Sequence, residues 1–245
     1  MRRILFGCSI LILFTASAYA QKTKPWTEWS AKDAEKILND SVWGQTQTES
    51  QEAAQASTSS AITQTTAGRR EDQRLSSASN VESGEKKGTA MSVNYRVRLL
   101  SAKPIRAAFV RMIELQGAPP EKVAQWRPFV DRDFGDYIVV TLTMDGTDKK
   151  RMGSVMTEIN NVDAEALKTT TYLERKDGKR IALLEYRAPT DVLGAKFVFA
   201  RTLGGKPFIE ADSVEVRFST ELGRNLKISK RFKVSEMMYE GKLEF

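Results

Sequence analysis

The stretch of sequence that decides the fold is YIVVTLTM, residues 137–144. Its even positions are all large and apolar, and its odd positions are Tyr, Val, Thr and Thr, so both faces of the run tolerate burial. Gly135-Asp136 precedes the run and Asp145-Gly146 follows it. A short β-branched run between such turn-forming pairs predicts a central strand.

The residues on either side of this strand predict one α+β domain over 91–245. Residues 92–99 alternate apolar and polar side chains, which indicates an amphipathic strand with a basic outer face. Apolar residues at helical spacing follow Pro104, and two weaker stripes come later, which indicates two or three helices. From Thr169 onward the chain is typical of sequential strands, for which antiparallel pairing is expected. We therefore predict a mainly antiparallel sheet or sandwich of about 7–9 strands with these helices inserted.

The first twenty residues predict export. Arg2 and Arg3 precede an apolar run that ends near Ala16, and a small residue at Ala20 marks a cleavage site, as in a secretory signal peptide. The run is too short to anchor the chain in a membrane, so we expect a periplasmic or extracellular protein without an integral membrane segment. Cleavage removes Cys8, the only cysteine, and the domain must then be stabilised by its core rather than by disulfides.

Residues 21–44 predict a short helix flanked by tryptophans. Ser30 and Asp33 have the spacing of a capping box, and Trp26, Trp29 and Trp43 lie on either side of the helical stripe. Such a short helix does not persist alone. The tryptophans are therefore expected to dock it, either on this protein's own domain or on a partner or envelope surface.

Residues 45–90 predict a disordered linker. Gln, Ser, Thr, Ala and charged residues dominate this stretch, and it has too few large apolar side chains to offset the entropy of ordering. The helix of residues 21–44 is thus expected to be tethered to the domain by a flexible segment.

The composition excludes several kinds of chemistry. The chain has no histidine, which removes Ser-His-Asp and Cys-His catalysis and the usual zinc ligand sets. No motif in it predicts a cofactor or a metal ion. The net charge is +7, which favours anionic partners outside the cytoplasm or simply supports solubility.

Two groups of carboxylates are candidate sites. The first group consists of two aspartate clusters: Asp131, Asp133 and Asp136 before the central strand, and Asp145 and Asp148 after it. Such clusters resemble oxygen-rich Ca²⁺ sites. Turn and cap roles explain these aspartates better, because an extended strand separates the two clusters. Glu174 and Glu185 could form the carboxylate pair of a glycan hydrolase. That reading requires a pocket with at least one carboxyl group of raised pKa.

A basic strand near the C-terminal end is the third candidate. Lys227, Arg231 and Lys233 would share its outer face. They could contact an anionic lipid or polyanion surface, or protect an edge strand from aggregation. Aromatic and basic residues are not interleaved as in RNA-binding motifs, so no nucleic-acid partner is expected.

Two motifs carry a family resemblance. The opening stretches WTEWS (residues 26–30), DAEKILNDS (33–41) and WGQT (43–46), and the closing FKVSEMMYEGKL (232–243), resemble the two ends of a family of secreted bacterial proteins. The resemblance implies secretion and a shared fold, and it carries no catalytic or binding residues. Together these features favour an exported envelope protein that binds or scaffolds rather than catalyses. The alternatives are a carboxylate-dependent hydrolase acting on glycans and an anionic-surface binder.

Overall fold

A computed structural model describes residues 24–50, 91–223 and 226–245. The predicted signal peptide, residues 1–20, and residues 51–90 of the predicted linker lie outside the described residues. Five α-helices are present in the described part: α1 (Ala31–Asn39), α2 (Lys103–Leu115), α3 (Pro120–Val130), α4 (Lys149–Asn160) and α5 (Ala164–Thr170). The longer strands are β1 (Gly44–Ser50), β2 (Ser92–Leu99), β3 (Tyr137–Gly146), β4 (Tyr172–Arg175), β7 (Ala195–Ala200), β10 (Glu215–Leu222) and β11 (Leu226–Lys233). The short ones are β5 (Arg180–Ala182), β6 (Glu185–Arg187), β8 (Thr202–Leu203), β9 (Lys206–Pro207), β12 (Met238–Tyr239) and β13 (Lys242–Leu243).

The predicted central strand lies in the middle of a five-stranded antiparallel sheet. The strand order is β1-β2-β3-β7-β6, so β3 has two strands on one side and two on the other. Its residues Ile138, Val140 and Leu142 are buried on one face, and Val139 is buried on the other. The prediction of a strand buried on both faces is confirmed.

A four-stranded antiparallel sheet, ordered β11-β10-β4-β5, packs against one face of the first sheet. Phe197 of β7 and Phe218 of β10 meet across the two sheets with ring centroids 5.2 Å apart. Helices α4 and α5 add Val155, Ile159 and Leu167 to this core. The predicted α+β class with antiparallel sheets is thus confirmed, and short strands of two or three residues account for the larger number observed.

Helices α1, α2 and α3 cover the other face of the five-stranded sheet. Ala34 and Leu38 of α1 are buried with Ile105 and Ala108 of α2 in one apolar cluster. The capping box is present, because the Ser30 hydroxyl accepts a hydrogen bond from the Asp33 amide. Helix α1 is thus packed into the domain, which is one of the two docking alternatives predicted for it. No helix in the described ranges is long and apolar enough to cross a membrane.

Strand β1 contradicts part of the prediction of a disordered linker. Residues 45–50 were expected to be disordered, but they pair with β2 along their whole length, from Gly44 opposite Arg98 to Ser50 opposite Ser92. The strand is polar because it lies at a sheet edge, where backbone hydrogen bonds rather than apolar side chains hold it.

Side chains of β1 also join the two sheets at their edges. The Gln45 and Gln47 side-chain amides donate to the Arg231 and Lys227 carbonyls of β11, and the Lys230 amine donates to the Thr46 carbonyl at 2.9 Å. These bonds satisfy backbone groups that the edge of β11 would otherwise leave open. They also explain a lysine on the apolar face of β11, because its amine reaches the neighbouring strand.

Candidate functional site

The two motifs at the ends of the chain meet in the structure. The Tyr239 ring lies between Trp29 and Trp43, with centroids 6.3 Å from each and both contacts edge-to-face. The Trp43 indole donates to the Glu244 carbonyl at 2.8 Å, and the Trp29 indole donates to the Lys24 carbonyl at 3.0 Å. The residues that carry the family resemblance thus hold the N-terminal segment against the C-terminal one.

This packing changes the interpretation of the three predicted partner-binding residues. Trp29 is buried, with 6% of its surface exposed, and Trp26 and Trp43 are half-buried against the same apolar cluster. Of the two predicted alternatives, the observed one is docking on the protein's own domain. Partner binding through Trp29 would require a buried side chain to leave the core.

The predicted basic surface is present but charge-compensated. Lys227, Arg231 and Lys233 are exposed on one face of β11, which is an edge strand of its sheet. Each has a carboxylate neighbour: Lys227 has Glu221 at 2.6 Å, Arg231 has Glu215 at 3.8 Å and Lys233 has Glu236 at 3.2 Å. The carboxylates reduce the field that this face offers an anionic surface, whereas edge protection by charged side chains does not need unpaired charge.

The carboxylate pair considered for hydrolysis is bound to arginines. Glu174 accepts hydrogen bonds from Arg180 and Arg217, which lower its pKa. Arg187 likewise lowers the pKa of Glu185. A general acid needs a raised pKa instead, so neither carboxyl group supplies the acid that the hydrolase reading requires.

The aspartates around β3 have local structural roles. Asp133 accepts the Gly135 amide in the turn before β3, and Asp148 caps α4 by accepting the Arg151 amide. Asp145 instead contacts Asn94 and Arg96 on β2. Within the described ranges, no group of three or more Asp, Glu, Cys or His side chains is placed to hold a metal ion.

A cleft of about 690 Å³ opens between the helical layer and the outer face of the five-stranded sheet. We call it the helix–sheet cleft. Its polar lining is Glu35, Asn39, Arg96, Arg98, Gln116, Lys122, Thr143 and Asp145, and its other lining residues are Leu38, Phe109, Met112, Ile113, Gly117, Ala118, Trp126 and Val192. The volume falls within the range typical of small-molecule sites, roughly 300–1,000 Å³.

Arg98 is the central residue of the cleft floor. Its guanidinium donates to the Leu38 carbonyl at 2.9 Å, to the Asn39 side-chain oxygen at 2.9 Å and to the Thr143 hydroxyl at 2.8 Å. All three acceptors are neutral. Burial, and then the charge of Arg96, lower the pKa of Arg98 to about 10, so it keeps its charge at neutral pH.

Arg96 and Asp145 form an ion pair beside Arg98. Burial of Asp145 opposes its ionisation, but hydrogen bonds from Arg96 and Asn94 outweigh this effect and lower its pKa. The floor thus combines two guanidinium groups with one ionised carboxylate that Arg96 already engages. Among the described residues no carboxylate accepts a hydrogen bond from Arg98, although the charge of Asp145 also acts on it.

The helical wall of the cleft is aromatic and apolar. Trp126 of α3 packs against Phe109 of α2 at 5.8 Å and against Phe129 at 5.7 Å between ring centroids. Met112 and Ile113 continue this surface along α2, and both are half-buried. The cleft therefore presents an apolar wall opposite a cationic floor.

The sequence contains the signals for this cleft, but they do not distinguish it from ordinary structure. The alternation of β2 places Arg96 and Arg98 on one face, and the stripe of α2 includes Phe109 and Met112. Read alone, the first pattern predicts a solvated face and the second predicts core. Only the packing of α2 and α3 over that basic face brings the two groups together.

Comparisons of this chain with protein-family models, with curated protein sequences and with solved structures give no match. The resemblance based on the two end motifs stays a prediction.

Proposed function

We propose that this protein is a non-enzymatic binding protein of the bacterial envelope, and that the helix–sheet cleft holds its ligand. The N-terminal leader pattern supports export, and the size of the cleft supports a small molecule rather than a macromolecular partner. The ligand is amphipathic, because the wall is apolar and the floor is charged.

One observation carries this proposal: the Arg98 guanidinium lines the cleft, and in the described part of the chain its hydrogen-bond acceptors are all neutral. A protein rarely buries a charge unless a counter-charge or full hydrogen bonding compensates it. A guanidinium has five N–H donors, and three are used here. Arg98 and the aromatic wall give the cleft the composition of a binding site, in which a few polar groups orient a ligand against apolar side chains.

Binding of a neutral fluorescent amphiphile, N-phenyl-1-naphthylamine, tests the proposal. The native chain should bind this probe at one site with enhanced fluorescence. Ala118→Phe places a ring in the cleft, since Ala118 lines it, and should weaken binding by at least tenfold. Ala124→Phe is the matched control, because Ala124 is exposed on α3 and lines no part of the cleft.

Circular dichroism and urea unfolding should show that both variants remain folded. Equal probe affinity in the native chain and in the Ala118→Phe variant would exclude the cleft as the binding site. No saturable binding in any of the three proteins would reject the proposed function.

A further inference from the structure

The charges of the cleft floor restrict the class of ligand, and this step rests on the function proposed above. Arg96 forms an ion pair with Asp145, whereas the bonds of Arg98 within the described ranges go to neutral oxygens. The lining carries three cationic side chains, Arg96, Arg98 and Lys122, and two carboxylates, Glu35 and Asp145, so a ligand meets one net positive charge. One negative charge on the ligand is favoured, and a second would be placed near Asp145.

The donor geometry of Arg98 favours a flat oxyanion. Guanidinium groups bind carboxylates through parallel N–H···O bonds, and such charge-assisted bonds are shorter and stronger than neutral ones. A carboxylate on Arg98 would complete the hydrogen bonding of the guanidinium.

The wall indicates what the rest of the ligand is. Phe109, Met112, Ile113 and Trp126 offer apolar surface to the cleft, and Lys122 is the charged residue that α3 adds to the lining. Burial of a hydrocarbon chain on such a surface contributes about 0.8 kcal/mol per CH₂ group. We infer that the helix–sheet cleft binds a long-chain alkyl carboxylate, with its carboxylate on Arg98 and its hydrocarbon chain along the wall formed by α2 and α3.

Competition against N-phenyl-1-naphthylamine tests the inference with three twelve-carbon ligands below their micellar concentrations: dodecanoate, dodecanol and dodecylamine. Dodecanoate should displace the probe at a concentration about 10- to 100-fold lower than dodecanol, the gain typical of a hydrogen bond to a charged group. Dodecylamine should be weaker than dodecanol, because its ammonium group is repelled by the floor.

Two variants locate the charge effect. Arg98→Lys keeps the charge but loses the paired N–H geometry, and should reduce the preference for dodecanoate over dodecanol by at least fivefold. Since Arg98 also binds α1, the second variant is Asp145→Asn, which leaves α1 untouched. It should strengthen dodecanoate binding and leave dodecanol unchanged. Asp136→Asn is its matched control, because Asp136 is exposed before the opposite end of β3 and lies outside the cleft lining.

The outcomes separate the two proposals. Equal affinity for dodecanoate and dodecanol, with both blocked by Ala118→Phe, would overturn the carboxylate inference and leave the binding function intact. Probe binding that none of the three ligands displaces would also overturn the inference alone. Asp145→Asn and Asp136→Asn could change the preference for dodecanoate over dodecanol equally. That result would place the charge effect outside the cleft and overturn the carboxylate inference.

Discussion

Replacing Trp29 by alanine tests whether the N-terminal motif belongs to the folded core or to a recognition surface. Trp29 is 6% exposed and contacts the Tyr239 ring edge-on. Its backbone carbonyl accepts a hydrogen bond from the Arg111 side chain at 2.7 Å. Truncating a buried tryptophan to alanine costs about 3–5 kcal/mol, because it removes apolar burial and leaves a cavity. We expect Trp29→Ala to lower the free energy of unfolding by this amount.

Equilibrium urea unfolding at neutral pH measures the effect. If the free energy of unfolding has the same dependence on urea concentration in both proteins, the substitution changes stability and leaves the folded and unfolded states comparable. Trp29→Phe is the conservative variant, since it keeps a ring beside Tyr239 but loses the hydrogen bond to the Lys24 carbonyl. It should cost about 1 kcal/mol from that bond, with a further loss from the smaller ring. The cycle of Trp29→Ala and Tyr239→Ala should give a coupling of about 0.5–1.5 kcal/mol, as expected for an aromatic pair.

A Trp29→Ala variant within about 0.5 kcal/mol of the native chain would refute this reasoning, because surface substitutions have effects of that size. The indole would then contribute nothing to the core, and recognition by a partner would again be the better explanation of the motif. Trp126→Ala provides a comparison inside the same protein. Its half-buried ring lines the cleft, so its truncation should cost less than that of Trp29.

Two further predictions concern backbone packing and alkaline stability. Gly44→Ala should destabilise the chain by about 1–3 kcal/mol in urea unfolding, because a Cβ there would lie 2.3 Å from the Leu38 carbonyl oxygen. Gly153→Ala should instead stabilise α4 by about 0.5–1 kcal/mol, because no neighbouring group lies within 4 Å of the added Cβ. Burial raises the pKa of Tyr186 from 10.0 to about 12, so the unfolded chain loses this proton first and the free energy of unfolding should fall as the pH rises from 10 to 12. Tyr186→Phe should flatten that decline, and an unchanged pH profile in this variant would contradict the assignment.

The sequence was sufficient for elements whose side chains encode their own environment. The run 137–144 is apolar on both faces because β3 is covered on both faces, and the Ser30–Asp33 spacing predicts a cap that needs only local geometry. The turn at 176–179, which contains the turn-forming pair Asp177-Gly178, likewise joins β4 and β5. In each case the determining contacts are local, or the burial is strong enough to fix the residue types.

The sequence was insufficient where an element depends on distant partners. Strand β1 is as polar as a linker, and its order comes from β2 and from the glutamine bonds to β11, about 180 residues away along the chain. Helix α5 was missed because it is seven residues long and buries only Leu167. The helix–sheet cleft was missed for the same reason, since its wall and floor are each ordinary in sequence.

The end motifs and the cleft are connected through α1. Trp29, Trp43 and Tyr239 fix this helix on the domain, and its last turn supplies the carbonyl and amide oxygens that hold Arg98 at the cleft floor. The docked position of α1 is thus part of the proposed site, although none of the three aromatic residues lines it. A ligand that binds only the docked state stabilises that state, and the stabilisation is larger for a tighter ligand. By the same linkage, a substitution that loosens α1 lowers the affinity for the ligand. The contacts between the two end motifs would then serve the proposed binding as well as folding, because they position the guanidinium that the proposed ligand needs.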